Sequence, residues 1–483
     1  MTSRVVIVGG GIAGLAAAEA LSRTGVFQRG EMQVVVAESR RNTGGRAGSF
    51  VEPSTGQTVD YCQHVAMGCC TTLLDMLERM NLLDRFQCYD ELTFYHPQHG
   101  FSRFRPSRWL PPPLHLSSAL SSLKHLTKKN QREIRAALWR LMRTSEFDLI
   151  DVTALDWLRS NEQSEDTLEK FWDVILVSAL GDVPERVSMA AARKVMIDGF
   201  AGARHASDVW VPRRPLSEIF GDGFREPLAQ RGVAFELGHA IRELNWDAET
   251  NRWNVERSGA DPQVADHVIV ATPWHVCRRW FPQVWGDQPT EGRSDRIGPA
   301  TAFASSPITG LHLWLDRSLT SKPHVVMVGT LAQWFFQDPI KTTENMSPAE
   351  GVYHQVVISG RHAGSDWPKD KLVSEVVREL SEAFPEAGTP KVLKSRVVTD
   401  PHAVFSVSPE TQVRRPASKT SCPSLHLAGD AIATGWPATM EGAAISGQLA
   451  AKSVLDSLVA TEDQKLSVPS ELKRGWLARR LIR

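Results

Sequence analysis

Val5-Val6-Ile7-Val8-Gly9-Gly10-Gly11-Ile12-Ala13-Gly14 opens the chain and decides how the rest is read. Four apolar β-branched residues in a row suit a strand buried on both faces of a parallel sheet. Gly9, Gly11 and Gly14 then form a Gly-x-Gly-x-x-Gly turn, and the Ala-rich run 15–21 that follows is helical by propensity. A second strand at 32–37 ends in Glu38. Strand, helix and strand in that order make a βαβ unit with parallel pairing and a right-handed crossover. The three glycines play different parts. Gly9 permits the tight turn, Gly11 lets a pyrophosphate approach the backbone, and Gly14 lets helix and strand pack closely. The helix start, with Ala13 in its first turn, offers unpaired N–H groups and a positive dipole end to phosphate. Glu38 is placed to accept hydrogen bonds from adenosine ribose hydroxyls.

Around this unit the chain is large and electrically balanced. Its 483 residues allow about three domains at roughly 150 residues each. The 55 Lys+Arg against 55 Asp+Glu remove the global electrostatic case for a nucleic-acid partner. With 42% hydrophobic and 23% charged residues, the composition is that of a soluble globular protein with ample core. No run of about 18 uncharged apolar residues is present, so no spanning helix is expected. Met1-Thr2-Ser3-Arg4 passes straight into the first strand without a signal-peptide pattern, and the expected location is the cytoplasm. Cysteines at 62, 69, 70, 88, 277 and 422 show no Cys-x-x-Cys and no zinc-finger spacing. They read as small buried hydrophobes, and no metal site is expected.

Further strands are expected at 233–237, 253–256, 267–273, 311–315, 355–359 and 424–428, and a last helix from Thr439 towards 459. Residues 153–201 read as mainly helical. The stretch 101–143 carries ten Lys/Arg against one acid, Glu133, and is broken by Pro111-Pro112-Pro113. Two interleaved units follow. A nucleotide-binding one takes 1–70, 210–290 and 411–460. A substrate-binding one takes 71–209, mostly helical and membrane-facing, and 291–410, with mixed sheet. A basic tail at 461–483 closes the chain.

Which dinucleotide binds is settled after Glu38. Arg40-Arg41 suggests a ribose phosphate, but Glu38 would repel it. Asn42-Thr43-Gly44-Gly45-Arg46, a second glycine pair followed by Arg, resembles the glycine-doublet flavoproteins of the amine oxidase and carotenoid desaturase superfamily. Leu425-His426-Leu427-Ala428-Gly429-Asp430 resembles that superfamily's second flavin motif. The resemblance implies FAD in an α/β Rossmann-like domain of the glutathione-reductase type, interleaved with an α+β substrate domain. It also implies that Gly44, Gly45 and Arg46 touch the diphosphate, with Arg40 and Ile241 as further cofactor contacts, and that Asp430 bonds the ribityl chain. The helix start at Thr439-Met440-Glu441 would aim N–H groups at flavin N1/O2 and stabilise negative charge on the reduced ring.

A narrower likeness covers residues 5–451. Val59-Asp60-Tyr61-Cys62-Gln63-His64 is similar to a segment of bacterial hydroxysqualene dehydroxylases, and so are Leu110-Pro111-Pro112-Pro113-Leu114-His115, Phe171-Trp172, Val211-Pro212-Arg213-Arg214-Pro215-Leu216, Gln333-Trp334-Phe335-Phe336, Arg415-Pro416 and Thr434-Gly435-Trp436-Pro437-Ala438-Thr439. Tyr61-Cys62 and Ala431-Ile432 depart from that family's pattern. The likeness implies reductive removal of an allylic hydroxyl from a long isoprenoid alcohol. Loss of the hydroxyl leaves a cation, so the site needs a proton for the leaving oxygen, aromatic faces for the positive charge, and hydride from a flavin. His64 is the candidate acid, and Asp60 either orients it or, if buried, takes the role itself. Trp334, Phe335, Phe336 and Trp436 are candidates for the substrate channel wall.

So apolar a substrate must come from a bilayer. The basic 101–143 stretch and the tail, where Leu477/Leu481 and Ala478/Ile482 recur four residues apart, are the expected docking segments at the inner face of the cell membrane. The reductant of the flavin is not legible. The rival activities are a carotenoid desaturase, which takes hydride from its substrate, then an amine oxidase, then a flavoprotein without catalysis.

Overall fold

Val5, Val6 and Ile7 are completely buried, and the reason is a five-stranded sheet with Ser3–Val8 at its centre. Its order is Ala234–Leu237, Met32–Glu38, Ser3–Val8, His267–Val270, Leu425–Leu427, and every neighbouring pair is parallel. The structure, a computed structural model, describes residues 2–281, 303–337, 351–458, 466 and 472–483. Successive side chains of a strand point to opposite faces, and the two faces here are covered by different material. Val5, Ile7, Val34, Val36 and Ile269 pack with Leu15, Leu21 and Val454 from the helices Ile12–Ser22 and Met440–Ser457. Val6, Val8, Val268 and Val270 pack with Leu244, Trp253, Val255 and Ala265. These last four belong to an antiparallel meander of Ile241–Asp247, Arg252–Arg257 and Ala260–Ala265. The parallel sheet thus draws its strands from three distant stretches, which lie within 1–70, 210–290 and 411–460.

A seven-stranded mixed sheet forms the second body, in the order Val392–Phe405, Ser305–Leu315, Val352–Ser359, Trp334–Gln337, His324–Met327, Leu92–His96, Gly100–Phe104. One face carries Leu311, Leu313, Phe335, Val356 and Ile358, packed on Leu372, Val376 and Leu380 of the helix Lys369–Ala383. The opposite face carries Phe94, Phe104, Val326, Phe336 and Val357 and joins the helical layer through Phe171, Trp172 and Leu176.

The expected elements at 32–37, 233–237, 253–256, 311–315 and 355–359 are present, and those expected at 267–273 and 424–428 are shorter strands, His267–Val270 and Leu425–Leu427. The reading of 71–209 needs correction at its start. Phe86–Tyr89, Leu92–His96 and Gly100–Phe104 are strands, and the last two form an antiparallel hairpin at the edge of the seven-stranded sheet. Helices in this stretch of charge begin only at Leu116–Ser122 and Lys128–Arg143. The boundary at 209/210 cuts the strand Val209–Pro212, which pairs with both Ala66–Met67 and Phe86–Tyr89. The boundary at 410/411 cuts the helix Pro409–Arg414. The one at 290/291 lies outside the described residues.

Candidate active site

The first glycine turn is backbone packed against backbone. Gly9 has φ +109°, and a Cβ there would lie 2.6 Å from the Ala271 carbonyl oxygen. A Cβ on Gly14 would lie 1.9 Å from the Gly9 oxygen, so only glycine allows the helix to start this close to the strand. Gly11 is open by contrast, with only the Gly45 Cα near, at 3.9 Å. Gly11 caps Ile12–Ser22 without a side-chain hydrogen bond, which leaves the first-turn N–H groups of Ile12, Ala13 and Gly14 without a capping side chain. The second glycine pair locks onto the first: the Gly44 N–H donates to the Gly10 carbonyl at 2.8 Å, with φ +106° at Gly44 and +63° at Gly45. Two glycine loops therefore build one cradle with an open floor above a helix N-terminus, the arrangement that suits a diphosphate. Glu38 is buried at its edge. One carboxylate oxygen accepts from the Gly10 N–H (2.7 Å) and the other from the Arg40 N–H (2.8 Å) and the Ser39 hydroxyl (3.0 Å). The carboxylate thus braces the turn, and ribose hydroxyls have only its remaining lone pairs.

The ends of the chain meet at Arg46. Its guanidinium pairs with Asp430 at 2.6 Å and donates to the Ala403 carbonyl at 2.6 Å, so the expected diphosphate and ribityl contacts are joined to each other. Asp430 sits on a loop held from behind by Arg415, which donates to the carbonyls of Asp430 (3.1 Å), Ala431 (3.3 Å) and Ile432. Burial pushes the Arg415 guanidinium down to about 10. The sequence names Arg415 only as part of a likeness; its work depends on carbonyls that lie beyond any local pattern. The Gly429 N–H is fixed by the Ser446 hydroxyl at 2.8 Å.

At the helix start expected to aim its N–H groups at the flavin, the side chains are engaged elsewhere. Both Glu441 carboxylate oxygens accept backbone N–H groups, Thr72 at 2.9 Å and Leu73 at 2.8 Å, and so hold the N-terminus of the helix Thr71–Arg79. Burial raises this carboxyl to about 6. The Thr439 hydroxyl caps its own helix by accepting from the Gly442 N–H at 3.1 Å. Neither side chain is left for a cofactor; what this helix offers is its backbone. Ile241 begins the meander at the edge of the nucleotide domain, with its side chain half-buried.

The segment 60–64 carries the two candidate proton donors. Asp60 is buried, and one oxygen accepts from the Ser49 hydroxyl (2.6 Å) and the Leu216 N–H (2.8 Å). It ties the strand Thr58–Asp60 to the Pro215-Leu216-Ser217 turn, and the Thr43 hydroxyl donates to the Phe220 carbonyl of the helical segment that follows, at 2.7 Å. No hydrogen bond joins Asp60 to His64. Instead His64 Nδ1 lies 2.9 Å from the Cys62 carbonyl. A carbonyl only accepts, so the proton is on Nδ1 and Nε2 carries the free lone pair. Burial, aided by the Arg46 charge, lowers the His64 pKa, while burial lifts Asp60 to about 7. Beside them Gln63 is buried with neither amide oxygen nor amide nitrogen partnered, a state that buried amides rarely keep.

Comparison with known proteins fits this geometry. Residues 12–455 match the family described as flavin containing amine oxidoreductase. The chain belongs to that family. Among curated relatives, the hydroxysqualene dehydroxylase of Sinorhizobium fredii is 25% identical over 474 residues, covering 94% of this chain and 99% of that one. A 15-cis-phytoene desaturase of Narcissus pseudonarcissus is 22% identical over 470 residues, covering 93% and 79%. Solved structures with the same fold include a putative protoporphyrinogen oxidase from Exiguobacterium (TM-score 0.64, 15% identity, 95% and 99% covered) and a cyclohexylamine oxidase from Brevibacterium oxydans (0.64, 18%, 95% and 100%). The protein is a flavin-dependent oxidoreductase and its cofactor is FAD.

Within this family fold, the expected channel residues divide. Trp334 and Phe336 stack 5.7 Å apart on the same face of their strand, turned to the helical layer, and the Trp334 indole N–H donates to Ser178 at 3.1 Å. Phe335 is corrected: it faces the other way, into the core with Phe384 and Val376. Trp436 is not brought to the other two. It is buried in a separate group with Cys69, Ala203 and Ala206, under the Lys194 ammonium at 4.9 Å. Among the described residues no group of three or more His, Cys, Asp and Glu could hold a metal ion. None of the described helices is long and apolar enough to cross a membrane.

Proposed function

We propose that this flavoprotein removes the allylic hydroxyl of hydroxysqualene, yielding squalene and water. The observation that carries the reading is the pair Gln63 and His64. An unpartnered buried amide adjoins an imidazole with a free Nε2, and Arg46 of the cofactor cradle is near enough for its charge to act on that imidazole. Such groups have a partner in a hydroxyl and none in a hydrocarbon, which favours dehydroxylation over desaturation of a carotene. The curated dehydroxylase that the chain resembles over nearly its full length supports the same choice.

FAD, when bound and reduced, supplies the hydride that replaces the hydroxyl. The chain supplies the rest. Gln63 orients the hydroxyl. His64 takes a proton at Nε2 and gives it to the leaving oxygen, so that water departs as the C–O bond breaks. Its depressed pKa makes the protonated imidazole a stronger acid but a rarer one at neutrality, so turnover rises as pH falls towards the His64 pKa. Trp334 and Phe336 present aromatic faces to the allylic cation and exclude water. Asp60 is a positioning residue that holds the segment bearing both polar groups.

The test is anaerobic mixing of the pre-reduced protein with hydroxysqualene, following flavin absorbance and squalene together. Flavin oxidation in step with squalene is the expected result. Reduction of oxidised protein by phytoene, with no reaction of reduced protein with hydroxysqualene, would replace this reading with a desaturase. His64→Gln is expected to keep its flavin and lose most turnover along with the rise at low pH.

A further inference from the structure

The proline-rich loop and the chain end, far apart in sequence, meet on the surface. A Cβ on Gly475 would lie 3.1 Å from the Pro112 ring, and the Gly475 N–H donates to the Gly202 carbonyl at 3.1 Å. Two residues beyond Gly202, Arg204 gathers the loop by donating to the carbonyls of Ser107 (3.2 Å), Arg108 (2.7 Å) and Leu110 (3.1 Å). With three carbonyls satisfied from within, the side chains are turned outward. Trp109 is 93% exposed and Trp476 57%, with Leu110 and Leu114 also exposed.

The chain end corrects an expectation here. Ala478 and Ile482 are buried, and the terminus is pinned by Arg193, which donates to the Arg483 carbonyl, and by Arg474 with Asp198 at 3.3 Å. The segment is therefore a built part of the protein, not a free amphipathic helix. What it exposes is Trp476 with Lys473, Arg479 and Arg480. Residues 472–483 hold five cations and no acid. Across the junction Arg103, Arg105 and Arg108 are exposed and, among the described residues, pair with Glu91 and Asp90.

Between loop and chain end lies a cleft of about 580 Å³ lined by Thr71, Pro112, Arg204, Leu472 and Trp476. Leu472 packs on the group that contains Trp436 and Cys69. Thr71 adjoins Thr72, whose N–H is held by Glu441 of the cofactor helix. The cleft thus has Trp476 on its wall and, behind Thr71 and Leu472, residues packed against the cofactor helix and the Trp436 group.

We infer that the loop 106–115 and the chain end 472–483 form one docking surface for an anionic phospholipid leaflet, with the cleft between them as the entry for a bilayer-borne substrate. Protruding Trp rings flanked by Arg and Lys match the apolar-to-charged gradient of a lipid interface. The entry role rests on the proposed function. The docking does not, and binding can be measured without turnover.

The experiment is co-sedimentation of the full-length holoprotein with vesicles of phosphatidylcholine alone and with phosphatidylglycerol added, at low and high salt. Wild type is expected to bind the anionic vesicles and to weaken at high salt. Trp109→Ala combined with Trp476→Ala should lower the partition coefficient at least tenfold with flavin absorbance retained. Trp109→Ala alone, at so exposed a position, keeps the test valid if the double variant does not fold, and should lower it severalfold. Lys473→Glu with Arg480→Glu should lose the preference for anionic vesicles. Wild type that sediments no more with vesicles than without, tryptophan variants that bind as wild type, or a surface that proves to join two copies of the chain in solution would each overturn the inference.

Discussion

The two sheets of this protein are built on different contracts with the sequence. The parallel sheet carries its site on backbone: glycine turns, a helix N-terminus, and N–H groups held in place by Glu38 and Ser446. The mixed sheet carries its candidate channel on side chains, Trp334 and Phe336 on one face and Phe335 on the other, and the chemistry of each depends only on which way it points. A backbone site is announced by residues that permit a conformation. A side-chain site is announced by nothing until the register is known. The same contrast separates Gly14, whose role is readable from six residues, from Arg415, whose partners are the carbonyls of another loop.

Gly14→Ala is the strongest way to break the backbone half. The added Cβ would overlap the Gly9 carbonyl oxygen at 1.9 Å, and the expected outcome is complete loss of FAD from the purified protein. The flavin absorbance of the purified variant checks it. A yellow variant with normal affinity would mean that the cradle is not where the diphosphate rests.

The side-chain half is sharpened by a pair of neighbours. Phe335→Ala and Phe336→Ala each remove a buried ring and should cost about 4 kcal/mol of stability. Only Phe336→Ala should also change KM for an isoprenoid alcohol, because Phe335 lies on the far face against Phe384. Denaturant midpoints and steady-state kinetics together decide whether the faces are correctly assigned.

Asp60 links the halves, and pH reads it. Its carboxyl titrates at about 7 in the fold because burial disfavours the charge. An unfolded Asp ionises near 4, so between about pH 4 and 7 the folded state binds the extra proton. The stability this group contributes is full below about pH 4 and is lost as pH rises to about 7, by up to about 1.4 kcal/mol per unit. Glu441, raised to about 6, adds to the lower part of that window. Asp60→Asn should flatten the profile while keeping the bonds from Ser49 and Leu216. An unchanged slope in thermal melts from pH 4.5 to 7.5 would remove Asp60 as its source.

The smallest expected effect is at the junction of the chain ends. Asp430→Asn keeps the shape but leaves Arg46 without its counter-charge. Arg46 is partly exposed, so the cost is about 1.5 kcal/mol and FAD binding weakens about tenfold. Titration of the apoprotein with FAD by flavin fluorescence measures it.

The first βαβ unit, the second glycine pair and the Gly-Asp motif were legible as a flavin site because each is a short pattern with a backbone reason. The hairpin at Leu92–Phe104 was not, although its strands alternate, because the cationic residues after it drew the whole stretch towards a helical reading. Glu441 and Thr439 were legible as residues at the cofactor helix. Their side chains went elsewhere: Thr439 caps its own helix start, and the N-terminus of Thr71–Arg79 competes for the Glu441 carboxylate. His64 and Asp60 were legible as a pair of titratable groups four residues apart. Their acidities were not, since both shifts come from burial that the neighbouring strands create.

The linear chain by itself determined a dinucleotide site, because only glycine tolerates the turns that a diphosphate requires and a handful of adjacent residues is enough to declare them; that the dinucleotide is FAD followed from the resemblance of 42–46 and 425–430 to known flavoproteins. Tertiary structure alone decided which aromatic rings turn to the helical layer, which carboxyl is buried enough to have its pKa raised, and that the proline loop and the chain end share one surface. Those properties belong to pairs of groups hundreds of residues apart, and distance, burial and local charge exist only after the sheets have closed.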